Sequence, residues 1–372
     1  MMMRRFCIAA FAAVVSAGCA SVEQARRTCG DPLRVAVYAD GGPGGIGAVE
    51  WFRMVHDSPE MELRLVDGKG VREGALEGQD LLIMPGGSSK TEFKTLGPDG
   101  VERMKSFIRN GGAYLGTCAG CCLMMDGKDR ARVIPWDSRG SEPDLLFPDF
   151  TINEAGAKAL GIRAGSHKMR YHGGPLMRPT TNLIEGARFE LWGTFNAEAC
   201  FHGKASPEKA MHGAAGVVGG TYGKGRVFVT SAHPEYFEST HYVIVAAIRY
   251  LTGRTVSFRH YQRRPGDVAV GFYAKGISGV GTAKTALALS DAEGVDFHPV
   301  DNDGIWEGRL RYLDALVVPA EISEKNRAVI GKFEKFVADG GRVYTIGSGR
   351  KNAIRGAVAC GSADELIREV KR

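Results

Sequence analysis

The sequence predicts a doubly wound, flavodoxin-like α/β fold built on a parallel sheet, followed by a second, smaller α/β unit. Three observations lead there. Short apolar runs of strand type alternate with segments of helical spacing, the pattern of a parallel sheet with helices on both faces. One such strand, Ala113-Tyr114-Leu115, runs into Gly116-Thr117-Cys118-Ala119-Gly120, a G-x-C-x-G pentapeptide. It is followed by Cys121 to Met125, apolar and unbranched, which suits the start of a buried helix. Finally, the last third of the chain echoes the first.

With 372 residues the chain is long enough for about two domains, each with its own core. Abundant glycine, ordinary proline and 24% charged residues mark a globular rather than a disordered chain. The net charge of +6 is small for this length and gives little reason to expect a polyanionic partner such as nucleic acid.

Residues 1–19 read as a lipoprotein-type signal segment. Arg4-Arg5 is a charged n-region, and Phe6 to Val15 is an apolar stretch too short to span a bilayer. Ser16-Ala17-Gly18-Cys19 resembles a bacterial lipoprotein box, although Ser16 stands where Leu or Val is usual. Processing there makes Cys19 the lipidated first residue. Ala20 behind it fits an outer-membrane lipoprotein facing the periplasm; ordinary signal cleavage would leave a soluble periplasmic protein. Export implies an oxidising compartment. With Cys19 acylated and Cys118 catalytic, the odd set Cys29, Cys121, Cys122, Cys200 and Cys360 leaves at least one other free thiol. A disulfide from Cys121 or Cys122 to Cys200 is compatible with this, and the connectivity stays open.

Residues 20–32 read as a tether, and the first domain as 33–253. Arg34 to Tyr38 is a first strand, followed by the glycine-rich Gly41 to Gly47 and a helix to about His56. Met61 to Val66 alternates as a second strand. Asp80 to Met84 is a third, ending in Pro85-Gly86-Gly87. Val101 to Arg109 has helical spacing and leads into the cysteine turn. From about Gly127 to Ala215 the pattern is irregular, with many turn residues, including Tyr171-His172-Gly173-Gly174-Pro175. A hairpin-like turn at Gly219 to Gly225 precedes the strand Arg226 to Thr230, the segment Ser231-Ala232-His233-Pro234-Glu235, and a helix over Thr240 to Leu251. Arg254 to Arg264 is a basic connector, read as a linker or surface strand.

From about residue 266 to 372 the pattern returns. Asp267 to Val270 echoes Arg34 to Val37, and Asp314 to Pro319 echoes Asp80 to Pro85. Phe336 to Gly341 echoes Phe107 to Gly112. The alignment sets Gly347 opposite Cys118 and Ala320-Glu321 opposite Gly86-Gly87, so this unit is predicted to be a degenerate, non-catalytic α/β repeat.

A cysteine at a strand-to-helix turn sits at a helix N-terminus, where the dipole and free N–H groups favour a thiolate. It is the thiol counterpart of the serine nucleophile elbow; a buried core cysteine beside a glycine turn is the plainer reading. A nucleophile needs a base, an orienting group and oxyanion donors. His233 and Glu235, two apart on a segment taken as extended, project to the same side and supply the first two. The backbone N–H of Ala119 and one from Gly86 or Gly87 are the candidate oxyanion donors. Tyr171, His172 and Gly173 are candidate pocket residues.

These segments resemble the class I glutamine amidotransferase-like superfamily. Over residues 33–252 the chain is most similar to its biotin–protein ligase N-terminal-like (BPL-N) family, through Tyr38 to Gly47, Leu82 to Gly87, Gly111 to Gly120, Tyr171 to Pro175 and Tyr222 to Glu235. The resemblance implies a sheet of glutamine amidotransferase type and a triad of Cys118 as nucleophile, His233 as base and Glu235 as orienter, acting on an amide through a thioester. No ligase module follows, so biotin ligase activity is not expected. The expected substrate is a small-molecule or peptide amide, hydrolysed in the envelope, with membrane attachment through Cys19. A pocket retained only for binding a small ligand is the alternative.

Two further motifs fall short of a site. Gly42-x-Gly44-x-x-Gly47 with Asp67 matches a dinucleotide fingerprint, but Pro43 removes an N–H that would face a pyrophosphate. No cofactor is therefore expected. Cys200-x-His202 with His212 lacks a fourth ligand at matching spacing, and no metal is expected either.

Overall fold

The computed structural model describes residues 31–40, 44–138, 140–141, 145–196, 211–259, 266–276, 279–319, 328–346 and 354–372. The signal segment, Cys19, Cys29, the Gly41 to Pro43 part of the glycine loop, Cys200, His202, Ala320-Glu321 and Gly347 lie outside them. In the first part of the chain the strands are β1 (Leu33–Tyr38), β2 (Met61–Val66), β3 (Leu81–Met84), β4 (Ala113–Thr117), β5 (Trp136–Ser138), β6 (Leu145–Leu146) and β7 (Asp149–Ile152). They continue with β8 (Gly165–Lys168), β9 (Tyr171–His172), β10 (Met177–Pro179), β11 (Ala187–Phe195), β12 (Ala215–Tyr222) and β13 (Gly225–Thr230). The helices among them are α1 (Ile46–Asp57), α2 (Gly68–Arg72), α3 (Ser89–Arg109), α4 (Ala119–Met124), α5 (Glu154–Leu160) and α6 (His241–Thr252).

Strands β2-β1-β3-β4-β13 lie side by side in that order, every neighbour parallel. This is the predicted doubly wound, flavodoxin-like arrangement. Every residue of β3 and β4 is buried, as expected of strands covered on both faces. At the edge of β3, Asp80 accepts the Arg34 N–H at 2.9 Å, tying the turn before β3 to β1. Helix α3 is broken at Gly97, whose φ of 66° and the following Pro98 interrupt the regular backbone.

Beyond β13 the sheet departs from the all-parallel expectation. Strands β12, β11, β7 and β8 extend it with antiparallel neighbours, and β10 and β5 pair alongside. The irregular middle of the chain thus supplies the antiparallel half of one sheet. Its weak pattern has a physical origin: β12 contains Gly216, Gly219 and Gly220, which look like turn residues. A Cβ at Gly219 would overlap the Trp192 ring, and one at Gly220 the Arg188 carbonyl oxygen. The hairpin turn itself is Gly223-Lys224, with Gly223 at φ 62°.

The second sheet comprises β14 (Val268–Tyr273), β15 (Val295–Val300), β16 (Ala315–Pro319), β17 (Arg342–Ile346) and β18 (Val358–Cys360). Its helices are α7 (Val280–Asp291), α8 (Asn302–Trp306), α9 (Ile330–Ala338) and α10 (Ala363–Val370). The order β15-β14-β16-β17-β18 is all parallel and reproduces that of β2-β1-β3-β4-β13. Local devices match as well. Asp314 accepts the Ala269 N–H at 2.8 Å as Asp80 accepts that of Arg34. Asp67 caps α2 through Gly70, and Asp301 caps α8 through Gly304.

The sheets meet where α1 lies against α7. Arg53 donates to Ser290 at 3.0 Å, and His56 meets Asp291 at 2.9 Å. One apolar core runs from Trp51 and Phe52 of the first unit to Phe272 and Phe297 of the second. No helix among the described residues is long and apolar enough to cross a membrane.

Candidate active site

Cys118 stands between the last residue of β4 and the first of α4 with φ 50° and ψ −102°, a left-handed conformation rare for a residue with a side chain. The flanking glycines make the turn sterically feasible. A Cβ at Gly120 would overlap the Met84 carbonyl oxygen, and one at Gly116 would come within 2.7 Å of the Gly120 backbone. The Cys118 N–H donates to the Thr230 carbonyl at 2.9 Å, and its own carbonyl accepts from Cys122 at 3.0 Å.

That first bond explains how two distant stretches meet. β4 and β13 are parallel neighbours with Thr117 opposite Thr230, so the cysteine turn and Ser231-Ala232-His233 leave the sheet together. The His233 N–H donates to the Arg170 carbonyl at 2.8 Å. Its Nδ1 lies 2.8 Å from Glu235 Oε1, which leaves Nε2 free of that carboxylate, and the ring and the Cys118 Cβ both crowd Gly86. The reason that His233 and Glu235 meet differs from the one read in the sequence. Pro234–Tyr236 is a turn of 3₁₀ helix rather than an extended segment, and it folds the carboxylate back onto the ring.

Glu235 is fully buried, with Oε1 also receiving a long 3.4 Å bond from Thr117 and Oε2 without a partner among the described residues. Thr117 in turn accepts from Trp51 Nε1 at 3.4 Å. Burial alone would lower the pKa of His233. The facing charges of Cys118 and Glu235, with the hydrogen bond to Glu235, outweigh it and push the imidazole up to about 10. The site thus favours the charged imidazolium over the neutral ring.

Gly86 closes on this pair: a Cβ there would lie 2.5 Å from His233 Cε1 and 3.2 Å from Cys118 Cβ. Gly87 has φ 152°, and Ala119 opens α4, where the first N–H groups lack intrahelical partners. Of the candidate oxyanion donors, Gly86 packs against Cys118 and Ala119 follows it in the chain. His172 is half-buried, and its carbonyl lies 3.7 Å from Cys118 Sγ. Burial lowers the pKa of its imidazole, with Asp303 opposing. Gly173 has φ 68° in the same loop. The Tyr171 side chain is not in the pocket. It is fully buried, donates to the Gly174 carbonyl at 2.6 Å and stacks edge-on against Phe195, so it braces the loop from the core.

The glycine loop serves this site. Gly44 donates to the Gly86 carbonyl at 3.0 Å, and a Cβ at Gly47 would lie 2.5 Å from Glu235 Oε1. Asp67, the acidic residue of the dinucleotide-like pattern, is engaged as the cap of α2. His212 is exposed.

Glu92 is a neighbour that no sequence signal marks. It lies in the first turn of α3, is wholly buried, and neither carboxylate oxygen has a partner among the described residues. Burial, reinforced by the charge of Cys118, raises its pKa well above the usual carboxylate range. From the second unit, Asp301 pairs with Arg170 and Asp303 with His172. Beside them lies a cleft of about 690 Å³ between the two units, whose walls include Glu50, Arg53, Arg170, Tyr236, Asp301 and Asp303.

Residues 58–124, from the turn before β2 through α4, match the family model described as biotin-protein ligase, N terminal. The chain is 35% identical over 109 residues to the pyridoxal 5′-phosphate synthase subunit PdxT of Corynebacterium jeikeium, a class I glutamine amidotransferase protein; the match covers 29% of this chain and 51% of that protein. It is 34% identical over 92 residues to an uncharacterized protein of Chlamydia muridarum, covering 23% and 36%. The chain thus spans about a third to a half of the length of these curated relatives. A ThuA-like protein from Bacteroides uniformis is a structural neighbour at TM-score 0.45 and 10% identity, covering 62% of this chain and 95% of that one. The protein has a mixed α/β fold with a large, partly parallel sheet and a smaller parallel one, and its residues 58–124 carry the biotin–protein ligase N-terminal pattern.

Proposed function

We propose that the protein is a cysteine-dependent amide hydrolase acting through Cys118, His233 and Glu235. The observation that carries this reading is the buried bond from Glu235 Oε1 to His233, whose ring and the Cys118 Cβ both crowd Gly86, with the cysteine on a strained strand-to-helix turn. The thiolate attacks the carbonyl carbon of a small-molecule or peptide amide, and the oxyanion forms among the Ala119, Gly86 and Gly87 backbone groups. Protonated His233 delivers its proton to the departing amine as the C–N bond breaks, leaving a thioester. The neutral ring then takes a proton from water, whose oxygen attacks the thioester and releases the acid and the thiol. Glu235 holds the ring in one orientation throughout.

Export belongs to the same reading: residues 1–19 act as a signal segment and Cys19 anchors the protein to the periplasmic face of the outer membrane. The all-parallel second unit acts as a degenerate copy without its own nucleophile.

In the decisive experiment, iodoacetamide should label Cys118 faster than Cys121, Cys122 and Cys360, and Cys118→Ala should abolish hydrolysis across a panel of amides and esters. A thiol no faster than the others, with a ligand retained through purification, would replace this reading with a binding pocket. Incorporation of radiolabelled palmitate that persists in Cys19→Ala would refute the anchor.

A further inference from the structure

We infer that the second unit is a working part of the active site, with Asp301 as a positioning residue for His233. The inference rests on the reading of Cys118, His233 and Glu235 as a reactive triad, and it is drawn from contacts outside that triad. Asp301 follows β15 and is 4% exposed; Arg170, in the loop before β9, is 5% exposed. Their side chains approach to 3.9 Å. The Arg170 guanidinium lies 3.6 Å from the centre of the Tyr236 ring. That ring stands edge-on to the His233 imidazole, with centroids 5.3 Å apart. The Arg170 backbone carbonyl, meanwhile, accepts the His233 N–H. Asp301 therefore holds a residue that grips the base twice, once by its backbone and once through an aromatic ring.

The arrangement has a cost that needs a reason. A buried ion pair contributes little to stability once its desolvation is counted, and an apolar pair of similar volume is often no worse. Tyr236 has limited room of its own: its ring is close enough to Gly47 that a Cβ there would lie 2.8 Å away. The ring is thus wedged between the α1 glycine and the guanidinium, and its orientation is set by where Arg170 sits. A second tie acts on the same loop: His172, whose carbonyl faces the thiol, meets Asp303 at 3.4 Å. Both ties come from α8 and its cap, so the unit without a nucleophile grips the loop that walls the one with it.

The test uses Asp301→Asn, Arg170→Met and the double variant in the full-length protein. Asparagine keeps an oxygen to accept the Gly304 N–H that Asp301 caps, so α8 is preserved. The double variant leaves neither charge unpaired, which guards against a single variant that fails to fold. For each, the rate of Cys118 alkylation by iodoacetamide and the ultraviolet absorbance of the thiolate are measured at neutral pH, with circular dichroism as a check of folding. Folded single variants should be alkylated about tenfold more slowly and show less thiolate, within the range spanned by couplings in one contact network. The double variant should be no slower than the slower single one. A purely architectural pair would leave both readouts unchanged or speed alkylation through loosening, and that result overturns the inference while the triad stands. A parent Cys118 no more reactive than Cys121 or Cys122 would overturn the triad and this inference with it.

Discussion

Gly86→Ala tests the geometry of the site with a single methyl group. Gly86 has no positive φ to forbid a side chain, so any effect is steric. The new Cβ would stand 2.5 Å from His233 Cε1, 3.3 Å from His233 Nδ1 and 3.2 Å from Cys118 Cβ. An ordinary carbon–carbon contact needs about 3.5 Å, so the ring must retreat by about 1 Å. It has nowhere to go without stretching the 2.8 Å bond to Glu235, whose carboxylate is fully buried. A displacement of about 1 Å in a reacting group costs about a hundredfold in rate. Overpacking adds a stability loss of about 1–3 kcal/mol. The assay pairs the second-order rate of Cys118 alkylation with turnover of an accepted amide, on protein shown to be folded by its denaturant midpoint. Parent-like rates in folded Gly86→Ala would refute the close packing of thiol, imidazole and Gly86 from which the site is built.

Other outcomes follow from the same contacts. Gly120→Ala sets a Cβ into the Met84 carbonyl, backbone against backbone, and should cost about 3 kcal/mol or more, read from urea unfolding. Glu92→Gln should be more stable than the parent at neutral pH. The raised folded-state pKa means that the fold favours the neutral acid, a preference fully satisfied below 4.5 and increasingly costly as pH rises above it; the gap between the two proteins should vanish in acid. The raised pKa of His233 runs the same way. Its pairing stabilises the fold fully below 6.5, and that contribution is lost as pH rises through about 10, so Cys118 alkylation should show no histidine break near 6.5. Glu235→Gln removes one of the facing charges and should move the alkaline break downward; superimposable pH profiles would exclude Glu235 from the site.

The parallel half of the larger sheet is legible because its strands β1, β3 and β4 are short, largely buried apolar runs followed by glycine turns, and the helices between keep a period of 3.6. The cysteine turn was readable for a related reason. Close backbone approach demands glycine at two fixed positions around Cys118, and that demand is written locally. The antiparallel half was not legible, since Gly216, Gly219 and Gly220 sit inside a strand to admit aromatic rings and a backbone that arrive from elsewhere in the chain. His233 and Glu235 meet through the 3₁₀ turn at Pro234 and not along the extended segment that their spacing suggests. Tyr171 adjoins a glycine loop, the pattern of a pocket residue, yet its ring turns into the core.

Local pattern in this chain specifies which residues are strand, helix and turn, and marks Cys118 and His233 as chemically able. Which of them meet depends on strand order. β4 and β13 are separated by more than a hundred residues and become neighbours only when the sheet closes, which sets the thiol beside the imidazole. Glu92, Thr117 and the Arg170–Asp301 pair carry no signal of their own, since a buried carboxylate reads in sequence like any surface one. Their environment is a product of desolvation and of contacts between remote segments, and neither exists until the chain has folded.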